Sequence, residues 1–151
     1  MIESPHGIYL DVSALCRPFD DQTQLRIRLE TDAVLLILSQ VQAKTRTLIV
    51  SPTHNVEIAA IEDRTEREHL QSLLETNGTR FKFDLPAARK TAEALIKQGI
   101  GVADAAHLAL AEQAQCDFIT CDDRLIRQCQ RVVPDLWCGT PTAYCEKEKL
   151  K

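Results

Sequence analysis

Short apolar runs of strand character alternate with long helical stretches, and this alternation limits the fold more than any other property of the chain. IYLDV at 8–12 is apolar except for Asp11 and reads as a buried strand ending at that aspartate. TRTLIV at 45–50 gives a second strand, 79–83 a short third, DFIT at 117–120 a fourth, and DLWCG at 135–139 a weaker last one. After the first strand, 13–17 is a turn or short helix that Pro18 breaks. Residues 22–43 contain neither Gly nor Pro and form one long helix, whose apolar centre, 33–38, is expected to be buried all round. Ser51-Pro52 starts the next helix. A charged helix at 63–76 has Leu70, Leu73 and Leu74 as its inner stripe and ends at Asn77-Gly78. Asp84 opens a helix with Pro86 in its first turn and Gly99 as its stop, and further helices occupy 102–115 and 122–131. The end of the chain, CEKEKLK from Cys145, is expected to fray.

Such an order implies a mainly parallel sheet with helices on both faces, a three-layer α/β/α sandwich. The 151 residues favour one domain, taken as 1–145, with 146–151 as a flexible tail. Aromatic residues are only 5%, so the core rests on Leu, Ile, Val and Ala. A net charge of −4 argues against broad electrostatic capture of nucleic acid, though not against an enzyme whose carboxylates are neutralised locally by metal. The six cysteines form no C-x-x-C pair, and no secretory leader precedes Cys16. Reduced thiols in a cytoplasmic protein are therefore expected. No apolar run approaches the roughly 18 residues that span a bilayer.

Ligands of an open parallel sheet bind at the carboxyl ends of its strands. Asp11 ends the first strand, Glu57 lies in the helix after the second, and Asp122 lies just past the fourth. Asp104 is in the first turn of the helix before that fourth strand. Each has a plain structural reading alone. Asp11 can cap the turn after it, Asp104 suits a helix dipole, Glu57 can be a solvated or ion-paired residue, and Asp122 or Asp123 can cap a helix. Their joint placement points to chemistry instead. Gathered carboxylates are hard oxygen ligands for Mg²⁺ or Mn²⁺, and such ions promote phosphodiester hydrolysis. Without metal the acids repel, which is expected to raise one carboxyl pKa.

YLDVSAL at 9–15, Glu57 in SPTHNVEIA, ADAAHLALA at 103–111 and FITCDDRLI at 118–126 resemble the matching segments of the PIN-domain ribonucleases, which include the VapC-type toxins of toxin–antitoxin systems. The likeness runs from about 8 to 139. It implies a metal-dependent endoribonuclease with Asp11, Glu57, Asp104 and Asp122 as the acidic cluster, and Ser13 and Thr120 orienting carboxylates or waters. The T-x-D step favours Asp122 over Asp123 as the fourth acid. RNA hydrolysis leaving a 5′-phosphate is the expected reaction, with an antitoxin protein and a second copy of the chain as expected partners. The alternative is a catalytically silent PIN-like module that binds RNA or protein. A dehalogenase-type phosphatase would need D-x-D, where this chain has Asp11-Val12-Ser13.

Arg124, Arg127 and Arg131 follow Asp122 at helical spacing and suit either phosphate contacts or a solvated face. His107 is expected in the core, packed or hydrogen-bonded, His54 at the surface, and Trp137 in packing.

Overall fold

The computed structural model describes residues 6–151. Its strands are β1 (His6–Leu10), β2 (Arg46–Val50), β3 (Gly78–Arg80), β4 (Asp117–Ile119) and β5 (Cys138–Gly139). They form one sheet in the order β3-β2-β1-β4-β5, with every neighbouring pair parallel. Strands of a parallel sheet are covered on both faces and so read as nearly continuous apolar runs. The helices are α1 (Val12–Leu15), α2 (Leu25–Gln42), α3 (Pro52–Ala59), α4 (Arg64–Asn77), α5 (Leu85–Lys97), α6 (Val102–Gln113), α7 (Asp123–Val132) and α8 (Pro141–Glu148). A 3₁₀ turn, Arg17–Phe19, surrounds Pro18.

Side chains of successive strand residues point to opposite faces, and this divides the core in two. Tyr9, Ile49 and Phe118 pack with Ala88 and Leu95 of α5, Leu108 of α6, and Leu125 and Cys129 of α7. Ile8, Leu10, Leu48 and Ile119 pack on the other face with Val34 and Ile37 of α2, Ile58 of α3, Leu70 and Leu74 of α4, and Tyr144 of α8. The result is the expected three-layer α/β/α sandwich. Among the described residues no helix is long and apolar enough to cross a membrane. All six cysteines are free thiols.

β1 has β2 on one side and β4 on the other, so strand order reverses between β1 and β4. A crevice at the carboxyl ends of these two strands is the place where such folds accept ligands. The ladder continues one step into it, because the Asp11 N–H donates to the Ile119 carbonyl at 3.1 Å.

Two local readings need correction. The centre of α2 is not buried all round: Leu35 is 52% exposed, since α2 covers the sheet with one face and meets solvent with the other. α4 does end at Asn77-Gly78 as expected, with Gly78 in extended backbone at φ −78°. A Cβ there would stand 2.2 Å from Val50 Cγ2 and 2.5 Å from the Leu74 carbonyl oxygen, so glycine lets β3 begin directly against the end of α4. The chain also stays helical to Glu148 where fraying was expected from Cys145. Thr140 caps α8 through the Ala143 N–H at 3.1 Å, Tyr144 is buried, and Lys147 reaches Asp117 at 3.0 Å.

Candidate active site at the carboxyl edge of the sheet

Asp11 ends β1 and caps α1, where its Oδ1 accepts from the Ala14 N–H at 3.0 Å and the Ser13 hydroxyl at 2.7 Å. The residue is 5% exposed. Burial pushes its carboxyl above the ordinary range, against the opposing hydrogen bonds from Thr120, Ser13 and the Ala14 backbone. Ser13 is central to this corner. Its oxygen also lies 3.3 Å from the Thr120 hydroxyl and accepts from the Cys121 N–H at 3.3 Å. Thr120 is fully buried and accepts from the Asp122 N–H at 3.1 Å. The loops after β1 and β4 are thus tied together by two hydroxyls.

Asp122 caps α7, accepting from the Arg124 and Leu125 N–H groups at 3.0 and 3.2 Å. Asp104 is half-buried in the first turn of α6. Burial, then the charges of Asp11 and Asp122, hold its carboxyl above the usual range, with a smaller push from Glu57. Asp104 therefore shares one electrostatic neighbourhood with all three other candidate acids. Glu57, on α3, is held below its usual range by its contact with His107 of α6.

His107 belongs to a buried polar network that crosses the layer. Its Nε2 meets the Glu57 carboxylate and its Nδ1 meets the Tyr9 hydroxyl. The Tyr9 hydroxyl lies 2.7 Å from the Ser51 hydroxyl. The Ser51 N–H donates to His54 Nδ1 at 3.0 Å, and His54 Nε2–H donates to the Leu10 carbonyl at 2.6 Å. His54 is fully buried rather than at the surface as expected, and burial lowers its pKa to about 4, so it is neutral near pH 7. Its placement had a sequence signal: it stands three residues after the cap Ser51, the position that completes a capping box, and the structure shows that box. Tyr9 and Ser51 were not singled out, although a tyrosine within a fully buried strand has to find a hydroxyl partner.

Asp123 points elsewhere. It accepts both Arg26 guanidinium hydrogen bonds, at 2.8 Å each, from α2. Arg124, Arg127 and Arg131 are exposed along α7. Trp137 packs edge-on against Tyr144, 5.8 Å between centroids, with Lys147 over its ring. A cleft of about 660 Å³ lies beside α3, lined by Val50, Ser51, Phe81 and Phe83 among others. None of the four candidate acids lines it.

The donor set suits a hard divalent cation: four carboxylates, two of them destabilised as anions where they stand. Among the described residues, however, no three His, Cys, Asp or Glu side chains are grouped closely enough to hold one ion by themselves. A cation that keeps several of its waters, as Mg²⁺ does, fits such a spread.

The family model described as PIN domain matches residues 8–130. No curated protein matches the chain. In structure the chain is similar to FitAcB from Neisseria gonorrhoeae, with a TM-score of 0.54 and 17% identity over 89% of this chain and 98% of that one. It is likewise similar to FitAB bound to an IR36 DNA fragment, with a TM-score of 0.55 and 17% identity over 89% of this chain and 94% of that one. At such identity the likeness concerns the fold.

Proposed function

Because the chain belongs to the PIN-domain family, whose members are generally nucleases, we propose that it is a Mg²⁺- or Mn²⁺-dependent endoribonuclease acting at the carboxyl ends of β1 and β4. The observation that carries this reading is the placement of Asp11 at the end of β1 and Asp122 just past β4, joined through the Ser13 and Thr120 hydroxyls, with Asp104 near enough for the charges of Asp11, Asp122 and Glu57 to raise its carboxyl. Acids drawn from four separate segments repel one another unless a cation joins them.

In this reading Asp11, Glu57, Asp104 and Asp122 hold the ion, partly through waters. When bound, the ion supplies Lewis acidity toward the attacking water and the phosphate oxygens. Ser13 and Thr120 fix the Asp11 carboxylate through their hydroxyls. Arg124 and Arg127, exposed one turn apart on α7, meet RNA phosphates flanking the cut. An antitoxin protein and a second copy of the chain are the proposed partners. Leu25 and Leu29 of α2, 69% and 51% exposed, offer apolar surface for either.

The test is cleavage of single-stranded and structured RNAs by purified protein with Mn²⁺, with EDTA, and by Asp11→Asn with Mn²⁺. Cutting confined to the first sample is expected. Equal cutting in all three overturns the proposal, and no cutting in any assigns the chain to the silent-module alternative.

A further inference from the structure

We propose that a buried hydroxyl–imidazole relay, Tyr9 acting through His107, positions the Glu57 carboxylate for cation binding, so that Tyr9 and His107 are positioning residues of the site. The inference rests on the active-site reading above and assigns it two residues that touch neither the cation nor RNA.

Glu57 needs such support. Its side chain is 33% exposed and has three rotatable bonds, so fixing one orientation costs conformational entropy. α3 is only eight residues long and turns its neighbours Val56 and Ala59 to solvent, so packing on its own helix does not restrain the carboxylate. The restraint comes from the opposite layer. His107 is 2% exposed, and its Nε2–H donates to Glu57 Oε1. The other ring nitrogen is engaged by the Tyr9 hydroxyl, which sets the ring's rotation. Tyr9 is fully buried in the central strand, stacked 4.5 Å from the His54 ring and 5.6 Å from the Phe118 ring, so it has no freedom of its own.

The far end of the network reinforces the geometry. Ser51 joins Tyr9 to His54, and His54 holds the carbonyl of Leu10, the residue immediately before Asp11. One set of polar contacts therefore links the backbone that carries Asp11 to the carboxylate of Glu57, 46 positions later in sequence (57 − 11). Phenylalanine would fill the Tyr9 site as well for packing alone. A hydroxyl placed in a dry core is warranted by what it holds. Outer contacts that orient a ligand in this way typically change metal affinity ten- to a hundredfold when removed.

The experiment measures Mn²⁺ affinity by calorimetry, without RNA, in a double-mutant cycle. Tyr9→Phe keeps the ring and removes the relay's hydroxyl, and is expected to weaken Mn²⁺ binding about tenfold. The loss should vanish when Tyr9→Phe is combined with Glu57→Gln, and should persist in full when it is combined with Asp104→Asn. His107→Gln, which keeps an N–H near the Glu57 carboxylate, should bind Mn²⁺ more tightly than His107→Ala. Affinity unchanged by Tyr9→Phe, or a loss that persists in the Glu57→Gln background, overturns the relay while leaving the active site standing. Wild-type protein that binds no Mn²⁺ overturns both.

Discussion

Two buried carboxylates lie on different layers of this molecule and are treated in opposite ways. Glu30 of α2 is 2% exposed, and its Oε1 is met by Arg17 Nε at 3.0 Å and Arg26 Nε at 3.6 Å. Asp11 is 5% exposed and is held by a backbone N–H and hydroxyls, while among the described residues no lysine or arginine pairs with it. Its charged neighbour Asp104 is another acid. A charge buried for architecture is compensated within the fold. One that is hydrogen-bonded into a fixed orientation with no lysine or arginine beside it is, under the proposed function, where an added cation would supply that charge.

Removing the charge at each position should therefore have opposite consequences. Glu30→Gln strips the anion from between two arginines that keep Asp20 and Asp123 as partners, and is expected to cost about 2 kcal/mol of stability by urea unfolding, with the cleavage rate of folded protein unchanged. Asp11→Asn should lower RNA cleavage about a hundredfold, roughly 2.7 kcal/mol, while its urea midpoint stays level or rises. If both variants lose stability alike, the two acids are not of different kinds.

The pH dependence carries a smaller effect of defined sign. Asp11 and Asp104 titrate above their ordinary value of 3.8 in the folded chain, so the folded state binds their protons more tightly than the unfolded state. Their contribution to stability is complete below that ordinary value and is lost as pH rises through the raised ones. In EDTA, the urea midpoint of Asp11→Asn relative to wild type should therefore grow between pH 4 and pH 7. At pH 7, added Mn²⁺ should raise the melting temperature of wild type and not of Asp11→Asn. A difference that is flat with pH would mean that Asp11 is charged without penalty. The smallest effect belongs to Asp123→Asn. Its partner Arg26 is 54% exposed and Asp123 itself 50%, so water screens the pair and only a slight fall in the urea midpoint is expected, with wild-type cleavage. Strong loss of cleavage there would move the fourth acid from Asp122 to Asp123.

Legibility in the sequence followed the range of the interaction. Asp11 was conspicuous as the one charge in an apolar strand, and Asp122 as a cap after another strand. Thr140-Pro141 is the same start signal as Ser51-Pro52, but the helix it opens, α8, has a charged end whose order comes from the burial of Tyr144 and the Lys147–Asp117 pair, neither of which is local. His54 reads as a surface residue because a histidine in a polar first helical turn faces solvent by default, while its position at the capping box turns it inward. Glu30 gave no signal at all: an acid within a long helix looks solvated until its two arginines are located.

The order of residues alone decided the alternation of strands and helices, hence the layers and the sheet edge at which β1 and β4 end, because apolar periodicity and helix starts are local properties. The tertiary structure alone decided which polar groups meet. Tyr9 finds His107 98 positions away, Glu57 finds it 50 away, and Arg26 takes Asp123 from 97 away. Hydrogen bonds and ion pairs depend on ångström-scale placement of groups on different elements, which no local pattern records.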